Sequence, residues 1–341
     1  MRLIYFIAFL LSVSSVAQIV NIPDVNFKNV LLNQNCADFD NDGDYDGDVD
    51  TNNDGEIQVS EAEAVIRLRG TNEGIVTVEG IESFVNIEIL TLFGNDITEI
   101  DLSQLSELTH ISLSGSELTT LDVSQNPNLI RLGAIGNNLS TIDVSNNTLL
   151  ETIDVRENQI TTIDVSQNVI LEELNIGFNL LTSLDVSQNT NLRRLWCWNN
   201  ELTYLNVQNG NNNSMSVMVA TSNKNLPCIL VDDENETRPT CTEDWGWCKD
   251  EEAIYSEDCT LGIDDLTIDK LTVYPNPANN LIQIDSVIPI NNIKVYTSTG
   301  SLVIEKETNV DTIDISKLQS GMYFLQIISA GNSISKKIVK Q

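Results

Sequence analysis

Histidine is almost absent from this chain: His110 is the only one in 341 residues. A histidine-dependent nucleophilic triad therefore has one position to stand on, and neither a nucleophile motif nor a glycine-rich phosphate loop accompanies it. Basic side chains are scarce too, 18 against 50 acidic, giving a formal net charge of −32. Such a chain repels phosphate backbones and anionic membranes and attracts divalent cations or basic partners, so nucleic acid is excluded as a ligand class. The deficit is uneven: residues 1–264 hold 43 acidic and 11 basic side chains and residues 265–341 seven of each, so a neutral tail follows an acidic body. Long apolar runs are missing as well. The one at Leu3 to Leu11 lies between Arg2 and the small residues "SSVA", the pattern of a secretory signal peptide over 1–17, too short to span a bilayer. No later stretch has the length a bilayer needs, so the mature protein is expected to lack a transmembrane segment. Carboxylate pairs abound, but they fall where a repeat dictates, and the chain is expected not to be an enzyme.

What is present is a period of 21 residues, marked by Ile97, Leu118, Leu139, Ile160, Leu181 and Leu202. A fixed short period means a solenoid. Each period reads as two half-coils, such as "LNIGFNLL" and "TSLDVSQN". Leu90, Ile111, Leu132, Ile153, Leu174 and Leu195 form one inward file, and Leu92, Leu113, Ala134, Val155, Ile176 and Cys197 the next. Each buried side chain contributes about 1.5–3 kcal/mol, but a lone repeat cannot cover both faces, so neighbours must stack. Asn95, Asn137, Asn158, Asn179 and Asn200 recur at the turn after the first strand, where a buried amide satisfies backbone groups that no ladder reaches. Ser116 breaks that file. An Asp file at Asp101, Asp122, Asp143, Asp164 and Asp185 marks the second half-coil, and hydrogen bonds to local backbone amides are the favoured explanation for it.

These units resemble the leucine-rich repeats of secreted and surface-exposed bacterial proteins, and the resemblance runs from Leu90 to Val207. It implies a curved, mainly β solenoid that presents a binding surface. The expected layout is a helical cap over 18–75, repeats over 76–207, a cysteine-rich cap and linker over 208–262, and a separate module over 263–341.

Within the N-terminal cap, "DTNNDGEIQVSE" fits the calcium loop D-x-N-x-D-G-x-x-x-x-x-E. Asp50, Asn52, Asp54 and Glu61 take the side-chain ligand positions, Glu56 offers its carbonyl, and Gly55 allows the sharp turn. "SEAEAVIRL" is expected to form the exiting helix. Twelve residues upstream the pattern recurs as "DFDNDGDYDGDV", with Asp38, Asp40, Asp42 and Asp44 at the matching places. Its twelfth residue is Val49, which lacks the closing carboxylate, so the second loop is expected to be the better calcium site. An acidic, solvated run is the competing reading of the first. "NIPDVNFKNVLL" ahead of the loops supplies a short amphipathic helix, and helix, loop and repeats together again resemble Bacteroidetes-type leucine-rich repeat surface proteins.

Between the inward rungs, early repeats show mostly Ser and Gly outward, whereas late repeats add Asp154, Arg156, Glu157, Phe178, Trp196 and Trp198. Aromatic faces beside carboxylates and amides suit sugar rings and protein hot spots. An equally weighted alternative has Trp196 and Trp198 packing under the cysteine-rich cap. Six cysteines suit an oxidising compartment. Cys228, Cys241, Cys248 and Cys259 allow three pairings, of which Cys228 with Cys259 and Cys241 with Cys248 is favoured; zinc lacks any C-x-x-C spacing.

From Ile263 short alternating strands replace the repeat, as in a small β-sandwich. "VYPNPANN", "VYTSTGSLV", "LQSGMYFLQI" and "KKIVKQ" resemble the C-terminal sorting domain of type IX secretion cargo. That implies passage to the outside of an outer membrane, with the secretion machinery as partner. The expectation is a secreted or cell-surface binding protein for adhesion or ligand capture, with a protein or glycan ligand. A carbohydrate-capturing accessory of a polysaccharide degradation system, or a passive surface component, are the alternatives.

Overall fold

The computed structural model describes residues 18–242, 245–259, 271–286, 292–297, 300–307, 311–329 and 332–341. The signal-peptide expectation for 1–17 and the junction at 260–270 lie outside them. The chain divides into two compact units, up to Cys259 and from Thr260 onward.

The first unit opens with α1 (Val25–Asn33), capped by Asp24, whose side chain accepts from the amides of Asn26 and Phe27. Its other carboxylate oxygen accepts from Val76 N at 2.9 Å and Thr77 N at 3.2 Å, tying the helix to the first coil. Phe27, Val30 and Leu31 point into the core. The strands that follow are β1 (Ala37–Asp38), β2 (Arg67–Arg69), β3 (Ile89–Thr91), β4 (His110–Ser112), β5 (Arg131–Gly133), β6 (Thr152–Asp154) and β7 (Glu173–Asn175). Then come β8 (Ser183–Asp185), β9 (Arg194–Trp196), β10 (Tyr204–Asn206), β11 (Val217–Ala220), β12 (Cys228–Leu230), β13 (Trp247–Lys249) and β14 (Ile254–Ser256). One sheet of ten strands runs β1-β2-β3-β4-β5-β6-β7-β9-β11-β13, parallel from β2 onward. A second, of four parallel strands, runs β14-β12-β10-β8.

Both expected inward files are buried, none of their members more than 3% exposed. The repeating unit is therefore a coil whose first half is always laddered. The second half is laddered only from β8 onward. In earlier repeats the stretches at 99–101, 120–122 and 141–143 form no strand.

Two asparagine ladders close the turns, where one was expected. In the first, Asn158 Nδ2 donates to Ala134 O at 2.8 Å and Val155 O at 3.0 Å, while its Oδ1 accepts from Leu139 N at 3.0 Å. Asn137, Asn179 and Asn200 repeat that pattern. The second ladder, unforeseen, is Asn126, Asn147, Asn168 and Asn189, all fully buried. Asn147 Nδ2 donates to Val123 O at 2.9 Å and to Asn126 O at 2.8 Å. These amides serve coil carbonyls that the strands cannot reach. The Asp file behaves as expected of local bonding: Asp122 Oδ1 accepts from Ser124 N at 2.8 Å and Asp143 Oδ1 from Ser145 N at 2.9 Å.

Two sequence expectations give way here. The exit helix after the second loop is a single turn, α2 (Val59–Ala62), because "RLR" is drawn into the parallel ladder as β2. The segment after residue 207 continues the solenoid, since β11 and β13 extend one sheet while β12 and β14 extend the other. Longer connections hide these coils from a 21-residue period. Disulfides join Cys228 to Cys259 and Cys241 to Cys248. Cys36 and Cys197 are free and buried, and burial pushes both thiols up to about 12.

The second unit contains a three-stranded antiparallel sheet of β15 (Leu271–Tyr274), β16 (Leu281–Ser286) and β19 (Thr312–Asp314). The other sheet is β18-β17-β20-β21, from β17 (Asn292–Thr297), β18 (Leu302–Glu307), β20 (Gly321–Ser329) and β21 (Asn332–Lys340). Ile282, Ile284 and Ile313 from the first sheet share a core with Ile293, Val295 and Leu325 from the second, which makes a small sandwich.

Candidate functional site

The ten-stranded sheet turns one face inward to the core and the other outward. Because side chains alternate along a strand, residues flanking each inward leucine project from the outer face. Register places His110 beside Arg131, Asp154 beside Asn175, and Asn175 beside Trp196.

The late repeats bring the candidate ligand-binding residues together. Phe178 and Trp198 meet edge to face, ring centroids 4.8 Å apart at 65°. Phe178 remains 40% exposed. Trp196 and Trp198 are half-buried and pack against Val217, Val219 and Cys248. The disulfide-bonded coil thus covers part of each indole, so the two readings of these tryptophans combine: one side packs under that coil and the other stays open. Among the described residues Trp198 Nε1 has no hydrogen-bond partner. Arg156 Nε lies 3.7 Å from Asp154 Oδ1. Burial raises the Asp154 pKa, and the Arg156 guanidinium opposes that rise. Two rows ahead, burial and the nearby charges of Arg131 and Arg67 lower the His110 pKa.

The turn after each first strand carries a backbone signature that sequence reading missed. Gly94, Gly115 and Gly136 occupy it with φ of 73°, 64° and 63°. In the next four coils the same place is taken by Glu157, Phe178, Asn199 and Ser222 with φ of 58°, 52°, 52° and 59°, and ahead of Gly94 it is taken by Asn72 with φ of 60°. This left-handed conformation costs a residue bearing a β-carbon about 1–2 kcal/mol, and a bulky residue there is a genuine outlier. The signal was visible in sequence as the loss of glycine from a fixed position of the period.

At the N-terminal end the two acidic loops adopt one conformation twice. Asp38 Oδ2 accepts from Gly43 N at 3.1 Å, as Asp50 Oδ2 does from Gly55 N at 2.8 Å. Asn41 and Asn53 share a left-handed φ. Among the described residues, the acidic oxygens that converge are those of Asp38, Asp40 and Asp42, all within 4.8 Å of one another. Asp38 is also 3.3 Å from Arg67 Nε. In the second loop Glu61 turns back to cap α2, accepting from Gln58 N, Asn52 N and Thr51 Oγ1. The Gln58 Nε2 donor contacts both oxygens of Asp54 and the carbonyl of Glu56. Glu56 itself pairs with Lys28 at 2.6 Å, and Asp44 N bonds Asp42 Oδ1 at 2.9 Å. The convergent carboxylates are therefore in the loop ranked second by sequence. Position three is Asn52 in the other loop, and its closing glutamate serves as a helix cap.

A groove of about 780 Å³ lies over the unladdered half-coils, lined by Ile81, Ile100, Leu121, Ile142 and by Asp101, Asp122 and Asp143. It contains none of the candidate ligand-binding residues. Its aspartates are occupied by the hydroxyls and backbone amides of Ser103, Ser124 and Ser145, which hold Asp101, Asp122 and Asp143 below the usual carboxylate range.

Comparison with known proteins adds an address. Residues 272–341 match the family described as "Secretion system C-terminal sorting domain". The chain is 35% identical over 72 residues to "Beta-agarase D" of Zobellia galactanivorans, a match spanning 21% of this chain and 15% of that protein. Among solved structures, internalin C2 of Listeria monocytogenes aligns with 16% identity and a TM-score of 0.47, covering 73% of this chain and 93% of its own. The functional domain of InlJ from the same organism aligns with 17% identity and a TM-score of 0.31, covering 95% and 99%. The sorting domain marks this chain as secreted or attached at the outer surface. Among the described residues no helix is long and apolar enough to cross a membrane.

Proposed function

We propose that this secreted leucine-rich repeat protein captures a ligand at the cell surface through the outer face of its late repeats, with adhesion or retention of that ligand as the outcome. The observation that carries this reading is the strained turn. After the three glycine-bearing coils the turn is built on residues with side chains, and the long Glu157 and bulky Phe178 hold the left-handed position that Asn72, Asn199 and Ser222 fill with small polar ones. Backbone strain concentrates at functional sites, and these turns adjoin Phe178, Trp198, Arg156 and Asp154. A binding role agrees with a face that offers stacking surfaces and hydrogen-bonding groups.

Calcium is proposed as a structural ion of the N-terminal loops. Asp38, Asp40 and Asp42, with the carbonyl of Asp44, fit a hard-oxygen set. In the second loop the Gln58 amide donor sits against Asp54 and Glu56 as a cation would. Asp50, Asn52, Asp54, the Glu56 carbonyl and Glu61 can serve once Gln58 and the capping Glu61 rotate away. Bound calcium would offset the repulsion among these carboxylates and fix the cap on the first coil.

The test of ligand capture is a panel of glycans, matrix proteins and intact cells, probed with the chain in calcium and with its Phe178→Ala, Trp196→Ala, Trp198→Ala triple variant. Saturable binding lost in a folded variant supports the reading. Binding by neither form contradicts it and leaves a passive surface role.

A further inference from the structure

Charge is segregated across this solenoid. Between residues 76 and 207 the basic side chains are Arg131, Arg156, Arg193 and Arg194, with no lysine. Arg131 and Arg194 project from β5 and β9 on the outer face, Arg156 follows β6, and Arg193 sits at the rim before β9. The recurrent aspartates occupy the second half-coils. The outer face of β3 to β5 carries Ile89, Thr91, His110, Ser112, Arg131 and Gly133, which include no carboxylate. Arg194 pairs with Glu173 and Arg156 with Asp154. Arg131 is exposed, and no carboxylate among the described residues lies within ion-pair reach of it. In a chain of net charge −32, an exposed arginine is surrounded by potential partners, yet this one is left open.

We infer that the ligand of this face is an acidic polysaccharide, whose carboxylate or sulfate groups meet Arg131 and Arg156 while its sugar rings lie against Phe178 and Trp198. This rests on the ligand-capture reading above. At physiological salt, charges beyond about 8 Å are largely screened, so a ligand at Arg131 meets the carboxylate-free outer face of β3 to β5 and not the aspartates of the second half-coils, while on the later strands Asp154 and Glu173 are paired with Arg156 and Arg194. Arginine matches the planar, bidentate geometry of carboxylate and sulfate groups. The hydroxyl and glycine floor at Thr91, Ser112 and Gly133 offers hydrogen bonds and open backbone, which suits a hydroxyl-rich chain better than the anchor pockets of a protein partner.

The experiment measures binding of the full chain to polygalacturonate and to a sulfated galactan, with neutral agarose and poly-glutamate beside them. The arms separate uronate from sulfate sources of the same anionic chemistry. Wild type is expected to bind one acidic glycan with affinity falling as salt rises. Arg131→Gln, an exposed change whose folding is checked by its melting curve, should weaken that binding about tenfold, and Arg131→Lys should restore part of it. Preference for poly-glutamate overturns the inference in favour of an acidic protein. Binding to neutral agarose that needs Trp198 but not Arg131 overturns it while sparing ligand capture. Failure of every arm, with no binding in the wider panel either, overturns both.

Discussion

A β-carbon at Gly177 would lie 2.2 Å from Nε1 of Trp198. The indole rests on the bare backbone of the preceding coil, and that contact sets the open side of the aromatic site. Gly177→Ala should push the ring outward without touching ligand itself. The expected result is a changed tryptophan emission spectrum and a loss of binding comparable to Trp198→Ala, with melting temperature little altered. Because Nε1 has no partner among the described residues, Trp198→Phe should leave stability within about 1 kcal/mol of wild type.

The strained turns separate stability from function. Glu157→Gly relieves a left-handed residue at an exposed position, so stability should rise by up to about 1 kcal/mol after the entropy cost of glycine. Ligand binding should weaken in the same variant. A denaturant midpoint and a binding isotherm on one preparation check both.

The asparagine ladders make a paired prediction. Asn158→Ala removes three carbonyl contacts and the acceptor for Leu139 N, and should cost about 3 kcal/mol. Ser116 fills the equivalent place in its own coil with a buried hydroxyl that has no partner among the described residues. Ser116→Asn should therefore stabilise by about 1 kcal/mol, read as a shift in urea midpoint at unchanged slope.

The first-half files and one ladder were legible in the sequence because their 21-residue spacing never slips. The second ladder had the same spacing at Asn126, Asn147, Asn168 and Asn189, but "DVSQN" reads as a polar turn until its amides are seen buried. Coils after residue 207 were not legible: β11 to β14 are separated by insertions, and only parallel pairing reveals them as rungs. Val65 to Leu68 read as helix because its local pattern is ambiguous, and the ladder to β3 decides the matter. At the candidate site the residue types were visible, while the half-burial of Trp196 and Trp198 by Val217 and Val219 depended on those hidden coils.

Acid should act through the Asp file. Serine hydrogen bonds lower the pKa of Asp101, Asp122, Asp143 and Asp164 in the folded chain. A depressed folded value means the stabilisation is whole at neutral pH, begins to fall below about pH 4, and is gone once pH drops through the folded pKa. Asp143→Asn should flatten that part of the pH profile, measured as urea midpoint between neutral and acid pH.

Calcium should raise the melting temperature of the N-terminal cap, and chelation should lower it. Asp38→Asn should remove more of that gain than Asp50→Asn, because the convergent carboxylates are in the first loop. Scanning calorimetry with and without calcium distinguishes the two loops.

Hydroxyl-radical footprinting tests the central claim most directly, because it reads exposed side chains one by one. With polygalacturonate, or the panel member that binds best, Phe178 and Trp198 should be protected while the equally exposed Phe93, 42% open on an early coil, stays reactive. Protection of the partly open Ile100 in the groove over the Asp file, with Phe178 and Trp198 unchanged, would contradict the account.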